Sequence, residues 1–166
     1  NAAGLVDLNE YPRLSSYLAP HDEQLRGRST ARTDKPDRFH KTIDRVILPL
    51  VQREKLYIAD IRNRLMPALD EGLTYPHHNL YWITSDKWDL RVLGALLMSS
   101  IGEFFIHSYG VRMRGGYYRF QAQYLRRIRV PRIENLTPDL KATLRKAFDT
   151  QNVDLASKAA LQAYQL

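Results

Sequence analysis

The chain of 166 residues is 44% hydrophobic and carries 25 Lys and Arg against 18 Asp and Glu, which gives a net charge of +7. This size and hydrophobic fraction suit one folded domain with a real core and argue against wholesale disorder. Because cysteine is absent, disulfides, Cys-ligated zinc and thiol catalysis are excluded.

No feature of the sequence predicts a membrane or export. No apolar run is long enough to cross a bilayer, and no basic-then-apolar segment opens the chain. We therefore expect a cytoplasmic location and no membrane partner. Residues 1–10 are predicted to be a tag or linker, residues 11–135 the main domain, and residues 136–166 the C-terminal helices.

The first predicted element is a helix over residues 11–25, where apolar side chains recur at helical spacing. Pro20 must bend or split this helix, and Gly27 suits its end. Residues 28–37 are polar and predict a loop.

Short strands are predicted next along the chain. Residues 45–48 lead to Pro49, which suits a strand end or a sheet edge. Residues 55–59 form a second strand. Residues 80–84 form the clearest strand, because they are rich in aromatic and β-branched side chains, and a turn is predicted before it at residues 69–72.

A long apolar helix is predicted over residues 87–107, with Ser85 or Asp86 as its cap and Gly110 as its end. Apolar side chains cover much of its circumference, so this helix should form the spine of the core. Ser99 and Ser100 lie inside it and are interpreted as packing residues.

Two further helices close the chain. One opens at Thr137-Pro138, a cap residue followed by proline in the first helical position, and the other begins near Asn152. The mixture predicts an α+β fold, in which short mixed strands pack on the central apolar helix and a helical extension follows at the C-terminus.

The positive charge is concentrated in one stretch of the chain. Residues 104–133 contain no acidic residue and enough arginines to account for the whole net charge. A local field of this kind attracts a polyanion. A solvated basic face or a membrane-surface patch is the alternative explanation. The arginines are Arg112, Arg114, Arg119, Arg126, Arg127, Arg129 and Arg132.

The same stretch predicts a β-hairpin with Gly115-Gly116 as a two-residue turn. In that register Arg112 lies opposite Arg119 and Met113 opposite Tyr118, and directly opposed residues share a face. The two predicted faces are Arg112, Arg114, Tyr117 and Arg119 towards solvent, and Val111, Met113, Tyr118 and Phe120 towards the core.

Two arginines directly opposed are unfavourable unless an anion lies between them, so this register indicates a phosphate site. The planar fork of arginine also suits bidentate contact with phosphate or guanine, and Tyr117 can stack or bond to backbone. Alternatively, these arginines pair with acids elsewhere in the chain, for which Asp34, Asp37 and Asp44 are candidates.

The sequence predicts no catalytic, cofactor-binding or metal site. An amino-methylating catalytic domain needs an Asn/Asp-Pro-Pro-aromatic motif, and this chain has no Pro-Pro pair. It also has no Gly-x-Gly turn for a dinucleotide or S-adenosylmethionine, and no Gly-Lys-Ser/Thr phosphate loop. An independent nuclease is the least favoured class, because no Pro-Asp pair is followed at a useful distance by an Asp/Glu-x-Lys triplet.

Several segments, taken in order, resemble one known family. They are Tyr11-Pro12 and the helix after it, Arg38-Phe39-His40-Lys41, the strands at 55–58 and 79–83, the helix at 90–100, Gly115-Gly116, Arg119-Phe120, Leu125 and Ile128-Arg129-Val130-Pro131. Over these segments the chain resembles the TaqI-like C-terminal specificity domain of adenine-specific DNA methyltransferases and combined restriction-modification enzymes. It departs from the family at Met98, where asparagine is frequent, and in having one closing proline, Pro131, where two are usual.

The resemblance implies that residues 11–135 are a target-recognition domain for double-stranded DNA. It further implies an upstream methyltransferase domain of the same polypeptide, which holds S-adenosylmethionine and flips and methylates the adenine. The chain itself would then need no cofactor. The family does not assign the residues that read bases, because those vary with the target.

Candidate DNA contacts are therefore inferred from charge and position. They come from the hairpin, the closing arginines and the loop at residues 26–41: Arg112, Arg114, Tyr117, Arg119, Arg126, Arg127, Arg28, Arg38 and Lys41. In the closing segment Leu125, Ile128 and Val130 are predicted to pack inward and Pro131 to end a strand. The competing class is a protein-interaction or scaffold domain whose arginines meet an acidic partner.

Overall fold

The computed structural model describes residues 5–32, 38–42 and 46–166. By its internal contacts the chain divides into two compact units, Asn1–Val51 and Gln52–Leu166. These limits follow spatial packing and differ from the functional boundaries predicted at residues 10 and 135. The C-terminal helices belong to the second unit.

The first unit is built from short helical segments. Its elements are a 3-10 turn at Leu8–Glu10, α1 (Pro12–Leu18), a 3-10 turn at Ala19–His21, α2 (Asp22–Arg26), α3 (Ser29–Arg32) and α4 (Leu48–Val51). The helix predicted over residues 11–25 is split where Pro20 enters the second 3-10 turn, and Gly27 ends it. Both features were predicted, the first because the proline ring removes a backbone N–H. Gly27 has a right-handed φ of −69°, so the end of the helix does not depend on a left-handed glycine.

Two predictions for this unit are wrong. The run that leads to Pro49 is no strand, since Leu48–Val51 is helical. Pro49 fits there because the first backbone N–H groups of a helix have no partner within it. Residues 29–32 form a helical turn where a loop was predicted, whereas Arg45 and residues 33–37 lie outside the described residues.

The second unit holds two small antiparallel sheets. The strands are β1 (Lys55–Ala59), β2 (Ile61–Arg62), β3 (Ala68–Asp70), β4 (Leu80–Ile83), β5 (Val111–Arg112) and β6 (Tyr118–Arg119). The first sheet has the order β3-β1-β4 and the second β2-β6-β5. The strands predicted at residues 55–59 and 80–84 are confirmed. The predicted turn at 69–72 begins within β3 and turns at Gly72, whose φ is +94°.

Helices supply most of the core of this unit. They are α5 (Leu90–Met98), α6 (Ser100–Tyr109), α7 (Ala122–Leu125), α8 (Pro138–Asp149) and α9 (Val153–Ala163). Helix α5 packs against α8, α9 and the first sheet. Leu96 of α5, Leu144 of α8 and Leu56 of β1 are all at most 1% exposed within one hydrophobic cluster. The α+β fold with a central apolar helix is confirmed.

The helix predicted over residues 87–107 is broken at Ser99. The buried Ser99 hydroxyl donates to Leu96 O (2.7 Å) and accepts from Gly102 N (3.3 Å), so it ends α5 and caps α6. Ser100 is exposed, so its interpretation as a packing residue is wrong. The two helices diverge by 60°. Among the described residues, no single helix is long and apolar enough to cross a membrane, although this bent pair qualifies by length and composition alone.

Asp89, rather than Ser85 or Asp86, caps helix α5. Its carboxylate accepts from the backbone N–H groups of Arg91 (2.9 Å) and Val92 (3.1 Å). Burial alone would raise the pKa of Asp89, but hydrogen bonds from Arg145 and the helix N–H groups outweigh it and lower the pKa. The cap is therefore charged at neutral pH and suits the positive end of the helix dipole.

The C-terminal predictions are confirmed with one exception. Thr137 caps α8 ahead of Pro138, and Asn152 caps α9. Ile128 and Val130 pack partly buried against the core, as does Leu125. The structure has no strand at residues 128–131, however, so the predicted strand ending at Pro131 is wrong.

Candidate nucleic-acid interface

The hairpin of β5 and β6 has a turn one residue longer than predicted. Arg112 lies opposite Tyr118 and Val111 lies opposite Arg119. The turn is closed by a hydrogen bond from Met113 N to the carbonyl of residue 117 (2.7 Å), which leaves residues 114–116 in the loop. A shift of one residue exchanges the faces of a strand, so the predicted pairing of Arg112 with Arg119 is wrong.

The predicted division into a basic face and a core face is wrong as a result. Val111 and Met113, predicted to face the core, are 43% and 37% exposed. Tyr118 and Phe120 are buried, as predicted, at 6% and 2%. Because Arg112 and Arg119 are not opposed, the inference of an anion held between them no longer stands.

Arg112 shares its face with the buried Tyr118. Its Nε and Nη2 donate to the Tyr118 hydroxyl at 3.0 and 2.9 Å. The Tyr118 ring stacks on His107 of α6, with ring centroids 4.3 Å apart and an angle of 20° between the planes. Arg112 is exposed, but its guanidinium also holds the hydroxyl of the buried Tyr118 in place.

Sequence reasoning missed a second arginine on this face. Arg62 of β2 lies opposite Tyr118 from the other side, so Tyr118 stands between Arg62 and Arg112 in one row across the sheet. Arg62 is exposed. A strand of two residues has no periodic pattern, and the pairing of β2 with β6 spans almost sixty residues, so no local signal revealed it.

Arg119 lies on the opposite face, between Ile61 and Val111. Its Nη2 donates to Asp60 Oδ2 over 2.7 Å, and this hydrogen bond raises the pKa of Arg119 above its ordinary value. The alternative of an acidic partner is thus confirmed for this arginine, with Asp60 as the acid. The three acids predicted for that role, Asp34, Asp37 and Asp44, lie outside the described residues.

The exposed side of the second sheet is largely apolar around Arg119. Ile61 is 45% exposed, and Tyr117, beside the turn, is 47% exposed. Arg114 lies in the turn and is exposed. Arg114 and Tyr117 thus lie at the turn of the hairpin that contains Arg119, and the cross-strand neighbours of Arg119, Ile61 and Val111, are apolar.

The closing arginines follow α7 on the surface. Arg126 and Arg127 are exposed, and the Arg127 guanidinium lies 4.3 Å from the centre of the Tyr109 ring. Burial raises the pKa of Tyr109, against a smaller lowering effect of Arg127. The Tyr109 hydroxyl donates to the carbonyl of Tyr124 (3.2 Å), which ties the end of α6 to α7.

The candidates in the first unit have unequal surroundings. The Nη2 of Arg28 donates to the carbonyls of Phe39 (2.7 Å) and Lys41 (2.9 Å), so this side chain holds the following segment in place. Arg38 is exposed and Lys41 is partly buried. Arg28 thus has a structural task that the sequence did not suggest.

Within residues 5–32, 38–42 and 46–166, no three His, Asp or Glu side chains are grouped so as to hold a metal ion. What the second sheet offers is a set of hydrogen-bond donors, aromatic rings and apolar groups.

Comparisons with known proteins place the chain beside one class of enzyme. No family model matches it. It is 44% identical over 162 residues to the Type II methyltransferase M.XhoI of Xanthomonas vasicola, 43% over 165 to M.PaeR7I of Pseudomonas aeruginosa, and 40% over 163 to M.BstVI of Geobacillus stearothermophilus. These alignments cover 98–99% of this chain but 29–30% of each relative, so the chain spans less than a third of their length.

Proposed function

We propose that the chain is the target-recognition part of a Type II DNA methyltransferase and selects the duplex sequence to be modified. A catalytic domain upstream in the same polypeptide would hold S-adenosylmethionine and methylate the adenine. Similarity to under a third of three Type II methyltransferases supports the enzyme context. The choice of adenine rests on the resemblance to TaqI-like specificity domains, and a cytoplasmic location belongs to the same proposal.

One observation carries the proposal: the acid-free arginine stretch contributes β5, β6 and their turn to the second sheet, where Arg114 and Tyr117 are exposed and Arg119 is partly exposed beside apolar side chains. Arginines that reach phosphates supply affinity, while side chains that reach base edges supply specificity. We assign Arg62, Arg112, Arg126 and Arg127 to the first role. In the first unit we propose Arg38 and Lys41 as contacts, with Arg28 holding their segment.

A salt titration tests duplex binding by the full chain. Fluorescence anisotropy with a labelled duplex should show an affinity that falls steeply with salt, by a little under one log unit per log unit of salt for each phosphate contacted. Arg126→Gln, which removes an exposed arginine assigned to phosphate, should lower this slope by about one. Lys158→Gln, which removes one exposed charge from α9, is the matched control and should leave the slope unchanged. Failure to bind long duplexes at low salt would contradict the proposal.

A second experiment tests the division of labour between domains. Because the chain lacks both motifs that a methyltransferase uses for the cofactor and the flipped base, it should neither bind S-adenosylmethionine nor transfer a methyl group. Isothermal calorimetry with the full chain measures the first and tritium transfer to duplex DNA the second. A calorimetric signal at the concentrations used for intact methyltransferases would place the cofactor site in this chain.

A further inference from the structure

The ion pair of Asp60 and Arg119 occupies the middle of an exposed apolar face. Arg119 belongs to the central strand of the second sheet, with Ile61 and Val111 on either side. Both neighbours are more than 40% exposed, whereas Asp60 is only 18% exposed at its side chain. The guanidinium is therefore presented to solvent from a partly buried carboxylate.

The backbone of Asp60 fixes the carboxylate. Its N–H donates to the carbonyl of Asn79 (3.0 Å), and its own carbonyl accepts from Phe120 N (2.7 Å). Asp60 is also the single residue between β1 and β2, so it lies at the corner where the two sheets meet. A carboxylate anchored in this way restricts the rotamers of the arginine that donates to it.

Within the part of the chain that the structure describes, much of the hydrogen-bonding capacity of this pair is unused. Arginine has five N–H donors, of which Asp60 Oδ2 takes one from Nη2. Asp60 Oδ1 and Arg119 Nε are buried without a hydrogen-bond partner among the described residues. Such unpaired buried atoms cost stability and call for an explanation. The terminal nitrogens retain the donors that face away from Asp60.

The charge of the pair distinguishes between two kinds of ligand. Because Asp60 neutralises Arg119, the pair attracts an anionic phosphate weakly, and the nearby carboxylate would repel it. A neutral acceptor has no such penalty. The apolar side chains of Ile61 and Val111 also suit the edge of a base better than a hydrated phosphate.

We propose that Asp60 positions Arg119 to read guanine in the major groove, through the O6 and N7 acceptors that an arginine fork matches. The inference rests on the proposed function. It makes Arg119 a specificity-determining residue and Asp60 a positioning residue, in contrast to Arg62 and Arg112, which have no carboxylate neighbour across the sheet.

The first test asks whether specificity and general affinity separate. The site preferred by the full chain is selected from a randomised duplex pool, and its single-base variants are titrated. Asp60→Asn should reduce the preference for G·C at one position by roughly 5- to 150-fold. Binding to random duplex should stay equal or rise, because a negative charge is removed. Asp60→Glu should restore part of the preference.

A matched control and a modified base sharpen the result. Asp86→Asn breaks another aspartate–arginine pair in the same unit, that of Arg53 and Asp86 (2.5 Å), and should leave the preference unchanged. Replacing the guanine by 7-deazaguanine removes the N7 acceptor. It should weaken wild-type binding and have little further effect on Asp60→Asn.

The outcomes separate a failure of this inference from a failure of the proposed function on which it rests. If the wild-type chain binds no duplex, the proposed function itself fails. If it binds and Asp60→Asn retains every base preference or changes all duplexes by one factor, the pair is structural and the inference is wrong. Should Asp60→Asn fail to fold, Arg119→Lys carries the test, since it keeps the charge but loses the fork. An unchanged preference in that variant also overturns the inference.

Discussion

The two sheets of the second unit differ in how deeply their apolar side chains are buried. In the first sheet Leu56 and Ile58 of β1 are at most 1% exposed against α5, whereas Ile61 and Val111 of the second sheet remain more than 40% exposed. Apolar surface left in water contributes little to folding. The first sheet is therefore part of the core, and the outer face of the second sheet is available for contact.

Their ion pairs differ in the same way. Lys55 in the first sheet is fully buried and donates to Asp70 and to the carbonyl of Arg53, and Asp70 also accepts from Gly72 N and from Thr74. The pair of Asp60 and Arg119 leaves two buried atoms without partners among the described residues. A well-satisfied buried pair serves the fold, while a half-satisfied one at the surface has donors left for a ligand.

The largest difference in stability should be between Met98→Asp and Met113→Asp. Met98 on α5 is fully buried, so Met98→Asp places an unpaired charge in the core and should abolish cooperative folding. Met113 on the exposed side of the hairpin is 37% exposed, so Met113→Asp should fold normally. Thermal denaturation followed by circular dichroism measures both. Equal destabilisation would mean that the outer face of the second sheet is buried after all.

Removing one partner from each ion pair should give the next largest difference. Asp70→Asn leaves Lys55 charged and buried without its counterion, which should cost about 3–5 kcal/mol of unfolding free energy. Asp60→Asn should cost about 1 kcal/mol or less, because Arg119 stays solvent-accessible. Urea denaturation of the two variants gives the comparison. A reversal of their order would make the second sheet the more important for stability.

Acid titration probes the buried pair without a substitution. Burial would raise the pKa of Asp70, but hydrogen bonds from Lys55, Thr74 and Gly72 lower it from 3.8 to about 2. A carboxyl with a lowered folded-state pKa stabilises the protein above its unfolded pKa, and this stability is lost as pH falls towards the folded value. Stability measured between pH 5 and pH 2 should fall below about pH 4 in the wild type. Asp70→Asn should show a weaker decline over the same window.

The smallest predicted difference concerns two adjacent tyrosines. Tyr118→Phe removes the hydroxyl that accepts from both Nε and Nη2 of Arg112, and should cost about 0.5–1.5 kcal/mol. Tyr117→Phe, on the exposed side, should change stability by less than about 0.5 kcal/mol. Differential scanning calorimetry resolves the two. If Tyr117→Phe proved the more destabilising, the register of the hairpin would have to be revised.

Local features of the fold were predictable because single residues determine them. Pro20 splits a helix by lacking an N–H, Thr137 and Asn152 cap helices with their side-chain oxygens, and the apolar run in α5 has to be buried. The density of arginine in the hairpin also indicated the candidate surface.

Only the tertiary structure decided which way those arginines face. One extra residue in the turn moves Arg112 onto the face of Tyr118. The distant strand β2 supplies Arg62, and Asp60 directly precedes that strand. The break of the long helix at Ser99 likewise depends on a hydroxyl that serves two helices at once. Each of these features depends on hydrogen bonds that form only when separate segments meet. The spacing of residues along the chain therefore does not predict them.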